Sequence, residues 1–106
     1  MGKLTDQIID AATVSPTEEA LAVMRLSLMD WMACGLAGKN EPLAGIISQM
    51  LDAEGGAQQS TSFDGVKRPA RATALYNGAV SHALDYDDTH FAHIGHVSVA
   101  VLPAVV

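Results

Sequence analysis

Cysteine is almost missing from this chain. Cys34 stands alone, so no intramolecular disulfide and no cysteine-based metal cluster can form. It sits in an apolar run, where a lone thiol behaves as a small hydrophobe rather than a nucleophile. Positive charge is scarce too: six Lys and Arg face twelve Asp and Glu, a formal net charge of -6. Nucleic acid and anionic membrane surfaces both need a basic face, so neither is expected as a partner. No apolar signal core follows Lys3, and Asp6 stands where a myristoylation signal needs Ser or Thr, which makes a cytoplasmic location the expectation. Internal repeats and low-complexity linkers are also lacking.

Hydrophobic residues make up 49% of the 106 positions, enough for a small globular domain or a piece of a larger one. Leu4, Ile8, Ile9 and Ala12 keep helical spacing, which gives a first helix fading near Thr13. Ser15, Pro16 and Glu18 form a helix-start signal, with Ser15 as cap and Glu18 closing a capping box. That second helix runs to about Gly38 and is apolar nearly all round, the mark of a helix buried in a core or at an interface. Ala20 to Gly38 has the hydropathy of a membrane span, but Arg25 and Asp30 inside it favour a buried helix of a soluble protein.

Asn40-Glu41-Pro42 opens a third helix whose Leu43, Ile46, Ile47, Met50 and Leu51 make one buried face, stopped by Gly55-Gly56. Ser60 to Phe63, an Asp64-Gly65 turn and Val66 to Arg68 suggest a short hairpin that must lean on helices. Pro69 starts a fourth helix rich in Ala and Gly, and so suited to a central position. Val97 to Val106 is apolar and contains Pro103; periodicity leaves helix and extended chain both open. The expected fold is all-α: a helical bundle with at most one short β-hairpin.

All four histidines lie between His82 and His96, together with Asp85, Asp87 and Asp88. If the fourth helix persists, Asn77, Ser81, Asp85 and Thr89 form one polar ridge, with His82 at its border. Three readings of this cluster stay open on spacing. Carboxylates can hold histidines in one tautomer for acid/base work. His90, His93 and His96, three apart with carboxylates beside them, can ligate a divalent metal. Or the acidic residues cap a helix end and the histidines are a solvated loop.

The segment from Ala74 to His90, followed by His96-Val97-Ser98 and Val101-Leu102-Pro103-Ala104, resembles the MmgE/PrpD family. That family includes 2-methylcitrate dehydratase, cis-aconitate decarboxylase and iminodisuccinate epimerase. The upstream order of elements, with Leu36-Ala37-Gly38 closing a long helix, is similar as well, so the resemblance covers essentially the whole chain. It implies a helical main domain, usually dimeric, with no metal and no organic cofactor, acting on a small di- or tricarboxylate. Asp85, Thr89 and His96 match the family's catalytic positions, with Asn77, His82, His90 and His93 as supporting substrate-binding candidates. Val97 stands where the family has proline, and loop length leaves His93 as the alternative to His96. Family members are several times longer and carry a lid-like domain with further His and Lys residues. Nothing after Arg71 here is permanently cationic. The resemblance therefore implies an N-terminal segment without its lid, inactive alone. The alternatives are a non-catalytic helical dimerisation module or the histidine metal module.

Overall fold

The computed structural model describes residues 2–106. It contains five helices and one two-stranded antiparallel sheet: α1 Lys3–Thr13, α2 Glu18–Gly38, α3 Pro42–Glu54, β1 Ser60–Thr61, β2 Lys67–Arg68, α4 Ala70–His82 and α5 Ser98–Val105. The all-α expectation holds, hairpin included. The strands pair Ser60 with Arg68 and Thr61 with Lys67. Gly65, at φ 83°, supplies the left-handed residue of the turn between them.

Three local expectations change. The start of α2 is capped by Thr17, whose Oγ1 accepts the Ala20 N–H at 3.1 Å, so Ser15 and Pro16 lie outside the helix. The Thr17 hydroxyl reaches a third-residue amide as Ser15 would, and places the cap two residues later. The second concerns α3, where Leu51 is buried but Leu43, Ile46 and Met50 of the expected face are exposed; the segment at 98–105, left open between helix and extended chain, is a helix despite Pro103. The third correction concerns α2: only Trp31, Cys34, Gly35 and Gly38 are buried, whereas Val23, Leu26, Met29 and Leu36 are exposed. Among the described residues α2 is the one helix long and apolar enough to cross a membrane.

α4 is the hub, packing on α2 most extensively and also on α5, α3 and the hairpin. Its small residues make this closeness achievable. A Cβ on Gly38 would strike the Val80 carbonyl, and one on Gly78 would press on the Pro103 ring at 3.3 Å. Ala44, Leu51, Ala72, Tyr76 and Val80 form the core, flanked by Ile47 and Phe63. Trp31 packs on Phe63 at 5.0 Å between ring centroids.

The hairpin is tied down by a buried cation. Arg68 Nη1 donates to Asp64 Oδ1 at 2.9 Å and to Ser62 Oγ, and Nη2 donates to Ser48 Oγ at 2.7 Å. Its guanidinium lies 4.9 Å from the Tyr76 ring centroid. Burial alone pushes the Asp64 carboxyl up, but hydrogen bonds from Arg68, Ser62 and Val66 N outweigh it and hold it below its ordinary value. The same Asp64 contact raises Arg68.

Candidate functional site

Helix α4 stops at His82, because Ala83 N bonds to the Val80 carbonyl and Asp85 adopts φ 56°. The polar ridge therefore does not continue past Ser81. Asn77 and Ser81 are buried instead. Asn77 Oδ1 accepts the Phe63 N–H at 2.9 Å and Ser81 Oγ donates to the Gly78 carbonyl at 3.0 Å. Asn77 lines a cavity of 610 Å³ with Trp31, Phe63 and Arg71, apart from the histidines.

The left-handed turn at Asp85 reverses the chain and sends the next carboxylate inward. Asp87, whose side chain is 1% exposed, becomes the centre of the cluster. His82 Nδ1 lies 2.9 Å from Asp87 Oδ1, and His96 Nδ1 lies 3.3 Å from the same oxygen. His96 Nδ1 is also 2.9 Å from the Asp87 backbone carbonyl. A carbonyl oxygen only accepts, so His96 carries its proton on Nδ1 and its Nε2 is free for chemistry. That Nε2 faces Asp85 Oδ1 at 3.4 Å; His82 Nε2 faces it at 3.9 Å. The two imidazoles meet edge to face at 4.7 Å. Two histidines are thus held between a buried carboxylate on their Nδ1 side and an exposed one on their Nε2 side.

The loop is pinned to the helices by Asp88 and Asp30. Asp88 N donates to Asp30 Oδ2 on α2 at 3.0 Å. Asp88 in turn accepts from Ser98 N at 3.2 Å and from Ser98 Oγ, anchoring the start of α5. Asp30, Asp87 and Asp88 all act on Cys34. Burial first, and these charges second, push its thiol up, so it stays protonated at neutral pH and is no nucleophile.

Of the predicted site residues, His82, Asp85 and His96 are brought together. Thr89 and His90 instead line a second, mostly apolar cavity of 400 Å³ with Val23, Met24, Asp88 and Ser98. His90 pairs with Gly95 through its backbone, and its Nδ1 accepts the His93 N–H at 3.3 Å. The grouping of His90, His93 and His96 does not form, because this bridge keeps His90 and His93 on an exposed turn. Among the described residues the donors that converge within metal-binding distance are His82, Asp87 and His96.

Asp87 is the residue that spacing misses. Asp85, Asp87 and Asp88 are indistinguishable as types, and only the turn at Asp85 decides which one points in. The His82-to-Asp87 separation of five was the available signal, and it carries meaning only once the helix is known to end at His82.

A family model described as the MmgE/PrpD N-terminal domain matches residues 2–106. No curated protein and no solved structure matches the chain.

Proposed function

The chain belongs to the MmgE/PrpD family, and from that premise we propose that it supplies the acid/base wall of a cofactor-independent lyase or isomerase. The substrate class is small di- or tricarboxylates, and the reaction moves a proton next to a carboxylate, with loss of water or CO2 or with inversion. The observation that carries this reading is His96, tethered through Nδ1 to the Asp87 carbonyl with Nε2 3.4 Å from Asp85 Oδ1. A tethered imidazole with one free nitrogen and a carboxylate partner is a proton-transfer pair. Asp85 shares the proton and His96 transfers it. Asp87 is a positioning residue: it orients both rings. Binding a polycarboxylate calls for further Lys or Arg, which a lid-like domain or a partner subunit supplies. The protein works in the cytoplasm as a homo-oligomer.

An NMR titration with citrate-like, aconitate-like and aspartate-derived acids tests this. The His82 and His96 ring signals should shift while those of His90 and His93 move little, and turnover by the chain alone should stay at background. Unmoved His82 and His96 signals overturn the substrate class. Turnover abolished by His96→Asn would show a complete catalyst and overturn the half-site reading.

A second reading, a helical dimerisation module without catalysis, is favoured by one observation. The exposed side chains of Val23, Leu26, Met29 and Leu36 form an unusually apolar surface on α2.

A further inference from the structure

We propose that His82, Asp87 and His96 form a binding site for one divalent transition ion of the zinc class, mutually exclusive with proton sharing between Asp85 and His96. The donor atoms lie within 4.8 Å of one another, and two of the three spacings, 2.9 and 3.3 Å, run from Nδ1 atoms to Asp87 Oδ1. Neighbouring ligands on a tetrahedral ion with bonds of ~2.0 Å are ~3.3 Å apart, so these two edges are nearly formed. The third, between the histidines, is within 4.8 Å and closes by a small rotation of His82, whose side chain is 46% exposed. Asp87 Oδ2 is buried without a hydrogen-bond partner, so the carboxylate at the centre is under-satisfied in the metal-free protein. Two imidazoles and a carboxylate suit zinc or cobalt far better than magnesium. Solvent supplies the fourth ligand.

Proton accounting is closed without a co-reactant. In the metal-free state His82 and His96 each carry the proton on Nδ1, facing Asp87. An ion taking the two Nδ1 lone pairs moves each proton to Nε2, with none released. There the Asp85 carboxylate faces both, with Oδ1 3.4 Å from His96 Nε2 and 3.9 Å from His82 Nε2. Asp85 then becomes the outer carboxylate that fixes the tautomer of metal-bound histidines. With Nε2 protonated and held, His96 no longer accepts a proton.

The test is a cobalt(II) titration of the chelator-stripped protein, followed by visible absorption. One equivalent of Co2+ should produce the bands of a four- or five-coordinate site. Zn2+ should bleach them and Mg2+ should not. His82→Ala and His96→Ala should each lose the bands, His90→Ala and His93→Ala should keep them, and Asp85→Asn should weaken binding about tenfold. On the native protein, nitrogen NMR with Zn2+ should show the His96 proton moving from Nδ1 to Nε2. This readout decides the matter if His96→Ala does not fold. Absence of the bands up to millimolar cobalt, loss of them in the His90 or His93 variants, or an unchanged His96 tautomer overturns the proposal. No carboxylic acid is needed, so a protein that binds metal but ignores the acids keeps this site and loses the catalytic reading, and the converse outcome does the reverse.

Discussion

At the residue scale, one buried cation and one depressed carboxylate govern the response of the hairpin to acid. Asp64 has a folded pKa below its ordinary 3.8, so the folded state holds its proton more weakly than the unfolded chain. The stabilisation is complete above about pH 4 and disappears as pH falls through the lowered folded value. Asp64→Asn should therefore lose less stability than the parent between pH 5 and pH 2, measured by urea unfolding at each pH. Arg68→Met strands Asp64 and Ser62 beside a new apolar chain and should cost about 3 kcal/mol at pH 7. Cys34 gives a simpler check. Its buried, upward-shifted thiol should react with a disulfide reagent at pH 8 at least tenfold more slowly in the folded protein than in denaturant. A rapid reaction in the native state would refute its place beneath the acidic loop.

At the element scale, α2 meets α4 through Gly38 and the hairpin turn through Gly35, and the two contacts differ in what faces the missing Cβ. At Gly38 it is the Val80 carbonyl, which belongs to the α4 backbone; at Gly35 it is the Phe63 ring, which can swing aside. Gly38→Ala should destabilise by roughly 2 kcal/mol, more than Gly35→Ala; thermal melts that reverse this order would contradict the packing. Much of this arrangement is legible in the sequence, because α1, α3 and α4 announce themselves by 3.6-residue periodicity, proline starts and glycine stops. The site is legible only in part. His82, Asp85 and His96 can be nominated from type and spacing, yet their meeting depends on a left-handed residue at Asp85 that no local pattern requires of an aspartate. Continuing the helix through Asp85 places Thr89 beside it. Ending the helix at His82 places Thr89 in another cavity and Asp87 in the centre.

At the scale of the whole molecule, apolar surface exceeds what the fold covers. The radius of gyration is 15.8 Å, against about 13 Å for a compact domain of this length. Helix α1 buries no residue, and α2 leaves most of its circumference exposed. If that surface is an interface, sedimentation velocity should show concentration-dependent association. Met29→Glu should shift the protein towards monomer while leaving its melting temperature within a few degrees. A monomer at every concentration would remove the dimerisation reading. The surface is wide and greasy but is not a site, since its chemistry is confined to Met, Leu and Val.

The pinning of the 83–97 loop reaches further than geometry. Its two feet are backbone N–H hydrogen bonds to carboxylates, Asp88 N–H to Asp30 and Ser98 N–H to Asp88, in series on one residue. Opening either foot exposes a single backbone proton to solvent, so these two amides act as built-in clocks for the loop. Matching exchange rates at the two positions would mean that the histidine segment lifts away as one flap. Unequal rates would mean that it peels from one side.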